Sequence, residues 1–276
     1  MTAPREAHIW YLRPADLLGT DVPALYHSML SEEERGRLTR FHFARDHDAF
    51  LAAHGLKRTA LSTLFPQVAA EEWAFTPGRH RRPEIIAPQG FSTTRFSLTH
   101  TDGLVALLVA PEADCGVDAE PLDSSRDVTP PVRHTLTPLE RERFDALPPP
   151  AGAEHFRRLW TLKEAYAKAR GLGLRLPFDQ VGFRIENTGI FPHFGPGVND
   201  RGADWQFRQW TVGERHILSV ALRRDGIGDF SVVRHTVPLV PSPTGPAGPA
   251  AKVHASGIAH YCADGPETAA YRWAAE

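Results

Sequence analysis

Residues 115–120 read CGVDAE and residues 160–168 read WTLKEAYAK, and the rest of the chain is predicted to be arranged around these two stretches. The first predicts the end of a strand. Its two carboxylates, Asp118 and Glu120, are two residues apart and point to the same face, because side chains alternate along a strand. A solvated strand face is the plain alternative. Two like charges on a buried face are costly unless a cation or a basic group lies against them, so this strand predicts a site for one or the other.

The second stretch lies in a helical pattern. Trp160, Glu164 and Lys168 are spaced i, i+4 and i+8, so they lie on one face of the helix. Taken alone, Glu164 and Lys168 could be an ordinary ion pair on a helix surface. Trp160 and, one turn earlier, Phe156 indicate that this face is not simply solvated. A third carboxylate and a lysine at this place suit a magnesium ion beside a phosphate, since magnesium prefers carboxylate and phosphate oxygens.

Length and composition limit the class of protein. A chain of 276 residues is expected to form two domains or one domain of two halves. Its formal net charge of -2 gives no general attraction to nucleic acid or anionic membrane. Two cysteines, Cys115 and Cys262, do not make a disulfide framework, and the start of the chain lacks the form of a secretion signal. We therefore expect a cytoplasmic protein that does not enter a membrane.

Signals for helices and strands alternate along the chain and predict an α+β fold. Helices are predicted after a capping box at 31–34, over 46–65, after a second capping box at 137–140 and over 154–170. Strands are predicted over 8–12, 72–76, 84–87, 95–101, 104–110, 115–120, 181–186, 205–211, 216–222 and 230–235. The order of helices followed by strands occurs twice. It predicts a half over 1–110, a second half over 111–237 that carries the metal site, and a flexible Pro/Gly/Ala-rich tail over 238–276.

Several basic side chains are further candidates for phosphate binding. His100 follows Thr99 in a turn with free amides and hydroxyls, where it is either a structural donor or a phosphate ligand. Arg82 lies in a basic loop that is either solvated or able to catch phosphates through its guanidinium groups. Arg37 belongs to a basic helix surface and could contact a terminal phosphate. His54 is interpreted as structural.

The two opening stretches together resemble a known pair of motifs. GVDAE at 116–120, followed by W-x-x-K-E-A-x-x-K at 160–168, resembles the hallmark motifs of the Sfp-type 4′-phosphopantetheinyl transferases. FSLTHT at 96–101 is similar to the family's strand-and-turn motif, and 31–41 is similar to its first basic helix. The resemblance covers about residues 8–236. It implies two similar α+β halves in a pseudo-twofold arrangement, with coenzyme A between them.

The resemblance also implies an activity. Such enzymes move the phosphopantetheine arm of coenzyme A onto a serine of an apo acyl or peptidyl carrier protein and release 3′,5′-ADP. Asp118, Glu120 and Glu164 would hold Mg²⁺ on the diphosphate, and Lys168 would neutralise its charge or assist the leaving group. Asp118, Glu164 and Lys168 are thus the implied catalytic residues. Either Glu164 or a metal-bound water would take the serine proton.

Contacts to coenzyme A are implied at other positions. Thr99, His100 and Arg82 would contact its phosphates. Arg37 is the better candidate for the terminal phosphate, because Glu34 stands where the family often has a basic residue. Lys163 matches the motif and is included among the ligand contacts.

Alternatives to this activity remain open from the residues. One is a non-catalytic homologue that binds carrier proteins; another is a magnesium-dependent phosphohydrolase that acts on diphosphates like that of coenzyme A. The expected partners are coenzyme A and a carrier protein of fatty acid, polyketide or nonribosomal peptide assembly. The enzyme is expected to be a monomer. The carrier is expected to dock at residues 122–144, where Arg126, Arg133 and Arg141 could meet an acidic helix.

Overall fold

Helices and strands alternate along the part of the chain that the computed structural model describes, residues 5–78, 83–122, 132, 134–226 and 228–235. The helices of seven or more residues are α1 (Val22–Met29), α2 (Glu32–Leu38), α3 (Ala44–Leu64), α4 (Pro138–Asp145) and α5 (Pro149–Arg170). The strands are β1 (Arg5–Leu12), β2 (Ala74–Pro77), β3 (Pro83–Ala87), β4 (Thr94–Thr101), β5 (Leu104–Pro111), β6 (Cys115–Pro121), β7 (Val181–Glu186), β8 (Gly189–Phe194), β9 (Trp205–Val212), β10 (His216–Arg223) and β11 (Phe230–His235). The predicted α+β class is confirmed. None of the described helices has the length and apolar character needed to span a bilayer.

The first sheet has the strand order β11-β1-β5-β4. Strand β5 is buried on both faces along almost its whole length, as its unbroken apolar run predicted. It pairs antiparallel with β1 and with β4, which it joins through the turn at Asp102-Gly103. That turn contains Gly103 with φ of 79°, a conformation that glycine adopts without strain.

The second sheet has the order β6-β10-β9, and β7 and β8 form a separate hairpin beside it. An apolar cluster joins the two sheets. It includes Ile9 and Leu108 from the first sheet and Val117, Leu218 and Val220 from the second, all of them buried. The end of β4 therefore lies against β6, where Thr99 donates to Asp118.

Two further apolar clusters hold the helices on the sheets. In the first, α3 packs against β5 around Trp10, Tyr26 and Trp73. In the second, α5 packs against β6, β9 and β10 around Tyr166 and Trp205. Each long helix thus packs on its own sheet. The two sheets are joined by the apolar cluster that includes Ile9 and Val117.

Most predicted bounds are close to the observed ones, and the differences have local causes. The bounds of β7 and β11 are confirmed, and both predicted capping boxes are present. Helix α5 begins at Pro149 rather than Glu154, because Pro149 and Pro150 occupy its first turn, where the amide that proline lacks has no partner. It ends at Gly171, which adopts the left-handed conformation with φ of 62°.

Two elements were missed. Helix α1 is short and contains Pro23, and its stability comes from packing Tyr26 against the bare backbone of Gly55 in α3. Strand β8 was missed because its side chains alternate weakly between exposed and half-buried positions.

The predicted division at residue 110 stays a prediction, and one strand crosses it. Strand β11, from the second predicted half, pairs parallel with β1 in the first sheet, with Arg5 opposite Phe230. The strand that ends the described chain therefore ties the two halves together. The predicted tail at 238–276 lies outside the described residues.

A buried ionic cluster holds α2 against α3. Glu34 completes the capping box of α2 through the Ser31 amide at 2.9 Å. The same carboxylate lies 2.6 Å from His54 Nδ1, 3.5 Å from Lys57 Nζ and 2.7 Å from Arg58 Nη2. Burial raises the pKa of Glu34, but the His54 hydrogen bond, the charges of Lys57 and Arg58 and the Ser31 amide lower it more, so the net pKa lies far below its ordinary value. The structural interpretation of His54 fits this place.

Glu34→Gln is expected to destabilise the protein by about 2–4 kcal/mol at pH 7, because it leaves Lys57 and Arg58 buried without their counter-charge. A carboxyl group with a depressed folded-state pKa contributes stability above its unfolded pKa of about 4.3, and that contribution is lost as the pH falls through the folded pKa. The difference in the free energy of unfolding between wild type and Glu34→Gln should therefore become smaller below about pH 5. Urea unfolding of both proteins at pH 7, 5 and 4 measures this difference. A difference that stays constant with pH contradicts the stabilising role of the Glu34 carboxylate.

Candidate active site

Strand β6 and helix α5 approach each other very closely at the centre of the predicted site. A Cβ atom at Gly116 would lie 1.9 Å from the carbonyl oxygen of Ala165 and 2.6 Å from the amide nitrogen of Ala169. The absence of a side chain at Gly116 therefore lets the helix backbone rest on the strand. This contact places the predicted carboxylates of β6 opposite the predicted acid and lysine of α5.

Two hydrogen bonds fix the Asp118 carboxylate in the site. Its side chain is 10% exposed. Lys168 Nζ donates to Asp118 Oδ1 at 2.7 Å, and Thr99 Oγ1 donates to the same oxygen at 3.2 Å. Three separate elements, β4, β6 and α5, thus meet at one carboxylate, and the Lys168 side chain is 31% exposed.

Glu164 has an unusual protonation equilibrium. Burial and the negative charge of Asp118 raise its pKa to about 7; Lys168 lowers it and Glu120 raises it further. The shift places Glu164 within electrostatic reach of both predicted carboxylates and of Lys168. The structure therefore pairs Asp118 directly with Lys168, and it leaves Glu164 and Glu120 close enough for their charges to act on each other.

The end of β4 and the turn after it lie beside the carboxylates of β6. Ser97 Oγ accepts a hydrogen bond from the Val117 amide at 3.1 Å, which sets β4 against β6. His216 Nε2 lies 2.7 Å from the carbonyl oxygen of Asp102 and ties the turn to the second sheet. Neither Ser97 nor His216 was identified from the sequence, because their partners are on another sheet and no local spacing connects them.

His100 lies near the end of β4 and is exposed. Partial desolvation and the positive charge of Lys168 lower its pKa, while Asp46 at the start of α3 raises it. At neutral pH the imidazole is therefore mainly neutral. It has both a donor and an acceptor nitrogen available next to Lys168.

The predicted ligand contacts farther from the carboxylates are less closely joined to them. Arg37 is exposed on α2, with its guanidinium 5.3 Å from the ring centre of Phe50, and it lines an open depression of about 710 Å³ together with Arg40. Arg82 lies outside the described residues, as do Arg126 and Arg133 of the predicted docking segment.

Lys163 requires a correction. It is fully buried, and its ammonium faces away from Asp118 toward α4, where it donates to Glu140 Oε2 at 2.7 Å, to the Phe178 carbonyl at 3.0 Å and to the Thr135 carbonyl. Burial lowers the pKa of Lys163, although the charge of Glu140 opposes the shift. In this position Lys163 cannot contact coenzyme A. Adjacent residues on a helix point about 100° apart, so Lys163 and Glu164 serve different surfaces.

The donor set of the site fits a hard divalent cation in its chemistry. It consists of carboxylate oxygens: burial and, next, repulsion from Asp118 raise the pKa of Glu164, and a cation beside these carboxylates would relieve the repulsion. Within the described residues, no group of three or more His, Cys, Asp or Glu side chains is arranged closely enough to hold a metal ion as it stands. In the present arrangement Lys168 provides the positive charge at Asp118.

Comparisons with known proteins agree with this site. The family model of the 4′-phosphopantetheinyl transferase superfamily matches residues 114–221, which include β6 and α5. The chain is 30% identical over 232 residues to a phosphopantetheinyl transferase of Thraustochytrium sp., covering 79% of each chain. It is 29% identical to the 4′-phosphopantetheinyl transferase HetI of Nostoc sp., over 61% of this chain and 70% of the relative. It is 23% identical to the 4′-phosphopantetheinyl transferase Sfp of Bacillus subtilis, over 59% of this chain and 69% of the relative.

The fold and the site define a group-transfer enzyme of mixed α+β class. The Thraustochytrium relative matches 79% of each chain at 30% identity, and the family model matches the central part of the chain. The chain therefore belongs to the 4′-phosphopantetheinyl transferase superfamily.

Proposed function

We propose that this enzyme transfers the 4′-phosphopantetheine arm of coenzyme A to the serine hydroxyl of an apo carrier protein and releases 3′,5′-ADP. The observation that carries the proposal is the Lys168–Asp118 ion pair across the β6–α5 contact, with Glu164 within electrostatic reach of Asp118, Lys168 and Glu120. A diphosphate is the substrate group whose negative charge and oxygen atoms such a set of acids and lysine would bind when a cation is shared between them.

In this reaction the serine Oγ forms a bond to the phosphorus next to pantetheine, and the bond from that phosphorus to the bridging oxygen of the diphosphate breaks. Glu164 is the proposed acceptor of the serine proton. Lys168 faces the charge that develops on the departing phosphate. His100, mainly neutral, donates a hydrogen bond to a phosphate oxygen from the end of β4.

Asp118, Glu120 and Glu164 would hold Mg²⁺, which when bound supplies charge neutralisation to the diphosphate. Thr99 donates to Asp118 and so helps to fix its carboxylate in the site. Arg37 and Arg82 are proposed contacts to the phosphates of coenzyme A. The enzyme is proposed to work as a monomer in the cytoplasm, and its net charge of -2 gives no general attraction to nucleic acid or anionic membrane.

The test is a transfer assay with purified protein, coenzyme A, Mg²⁺ and a panel of apo acyl and peptidyl carrier proteins. Intact-mass spectrometry should show one added phosphopantetheine on at least one carrier, and chromatography should show an equal amount of 3′,5′-ADP. Chelation of the divalent cation should stop both. The carrier that reacts fastest would identify the pathway served.

Each alternative has its own signature in the same assay. Release of pantetheine phosphate without carrier would indicate a phosphohydrolase. Carrier binding with neither coenzyme A binding nor transfer would indicate a non-catalytic homologue. Absence of transfer to every carrier, with a folded protein confirmed by circular dichroism, would overturn the proposed function.

A further inference from the structure

A row of polar side chains crosses the second sheet, and its first member is Asp118. Ser219 on β10 pairs with Asp118 on β6, and Gln209 on β9 pairs with Ser219. The side chains of directly paired residues point to the same face of a sheet, and Lys168 of α5 contacts Asp118 on this face. The row therefore extends from the carboxylate of the site, beneath α5, to the edge strand β9.

An apolar row lies beside this polar row on the same face. Two residues along each strand are Gly116, Ala221 and Phe207, which pair with one another across the sheet. Ala221 and Phe207 belong to the buried apolar cluster that holds α5 on the sheet. Polar groups in such an interface are costly unless they are hydrogen-bonded, so the polar row needs partners on the helix.

Thr161 of α5 is that partner. The hydroxyl oxygens of Thr161 and Ser219 are 2.7 Å apart, and both residues are fully buried. Gln209 Nε2 donates to Ser219 Oγ at 2.8 Å and lies 3.2 Å from Thr161 Oγ1. The Arg158 carbonyl, one turn earlier in α5, accepts from Gln209 Nε2 at 2.8 Å and from Thr161 Oγ1 at 3.1 Å. Two hydroxyls and an amide thus form one network between the helix and the sheet.

Polar contacts therefore hold α5 on the second sheet at two places. Thr161 and Lys168 are seven residues apart, about two turns, so they lie on the same side of the helix. Thr161 contacts Ser219 and Lys168 contacts Asp118, and Glu164 lies between these two contacts along the helix. In the proposed reaction Lys168 also faces the departing phosphate, so its contact is shared with the substrate. The Thr161 contact is neutral, buried and separate from the substrate.

We propose that Thr161, Ser219 and Gln209 are positioning residues that fix the rotation of α5 on the second sheet. They keep Glu164 directed toward Asp118 while Lys168 acts on the substrate. Without the network, apolar packing alone would hold this part of the helix. Because apolar contacts have no preferred direction, they allow small rotations that hydrogen bonds exclude. This inference rests on the proposed function and adds to it a group of residues that do not touch the substrate.

The test begins with Thr161→Val, which keeps the shape of the side chain and removes its hydroxyl. The kcat for transfer should fall about tenfold, because a small misplacement of a catalytic group has a large effect on rate, while the KM values for coenzyme A and carrier stay within about twofold. Thr161→Ser restores the hydroxyl and should recover kcat to within about threefold of wild type. Ser219→Ala should resemble Thr161→Val, and the double variant should lower kcat by no more than about twofold beyond either single variant.

Thr59→Val is the matched control, because it also removes a buried threonine hydroxyl from a long helix. Thr59 lies in α3, where its Oγ1 donates to the carbonyls of Gly55 and Leu56 at 3.1 and 3.2 Å. Both valine variants should lower Tm, since each removes a buried hydrogen bond, but only Thr161→Val should lower kcat. A lower Tm with an unchanged kcat in Thr161→Val would mean a purely structural role and would overturn the inference.

Crystal structures of wild type, Thr161→Val and Thr161→Ser separate this inference from the proposed function. In the valine variant the Glu164 carboxylate should move by about 1 Å or more relative to Asp118, and in the serine variant it should keep its place. An unmoved Glu164 in the valine variant overturns the inference, whether or not the enzyme transfers phosphopantetheine. Absence of transfer by the wild type overturns only the proposed function. If Thr161→Val does not fold, Ser219→Ala replaces it in both measurements.

Discussion

Asp118→Asn is expected to lower kcat/KM for transfer by about a thousandfold or more, because it removes the charge at the point where three elements meet. Lys168 and Thr99 both donate to Asp118 Oδ1, and the negative charge of Asp118 is felt at Glu164. The amide keeps the shape of the side chain but cannot hold a cation against Glu164 and Glu120. The loss should appear in the mass-spectrometric transfer assay with a saturating carrier.

A matched control separates the charge at this site from charge removal in general. Asp16→Asn also removes a carboxylate that pairs with a basic side chain, Arg13, but at the surface, where such pairs contribute about 0–1 kcal/mol. It should transfer at the wild-type rate. Retention of more than a tenth of wild-type activity in Asp118→Asn, with an unchanged circular dichroism spectrum, would contradict the placement of Asp118 in the reaction.

Periodicity was enough to find the central part of the site. The i, i+2 spacing of Asp118 and Glu120 and the i, i+4 spacing of Glu164 and Lys168 each describe one element, and regular elements fix the faces of their own side chains. The unbroken apolar run of β5 identified a strand buried on both faces. Which elements face each other is a different kind of information: the chemistry of three carboxylates and a lysine grouped the two stretches, and the family resemblance supported that grouping.

The side-chain contacts that the sequence did not predict are between residues far apart in the chain. Lys163 is next to Glu164 in sequence, and spacing cannot tell that its buried partner is Glu140, 23 positions earlier. Glu34 was recognised as a capping residue, whereas its contacts with His54 and Arg58 depend on how α2 packs on α3. Ser97 and His216 hold β4 and the turn after it against the second sheet through partners on another sheet.

The glycine of the first motif has a geometric role that spacing alone does not reveal. Gly116 has an ordinary strand conformation, so it is not required for a turn or a positive φ. It is required because the backbone of α5 occupies the place of its side chain: the Ala165 carbonyl oxygen lies 1.9 Å from an ideal Cβ position. Backbone atoms in the middle of a packed helix cannot move aside as a flexible side chain can.

Gly116→Ala is therefore expected to cost about 3 kcal/mol or more, at the upper end of the range for overpacked cores, and to lower Tm by roughly 6–12 °C. Because α5 must move away from β6, Glu164 and Lys168 would be displaced from Asp118, and kcat/KM should fall by about a hundredfold, the effect of a 1 Å misplacement. Gly36→Ala is the control: it lies in α2 with open space around its Cβ position and should leave stability equal or raised by up to about 1 kcal/mol. Thermal unfolding and transfer rates of both variants test this. Equal stability of the two alanine variants would show that β6 and α5 do not depend on a bare backbone at Gly116.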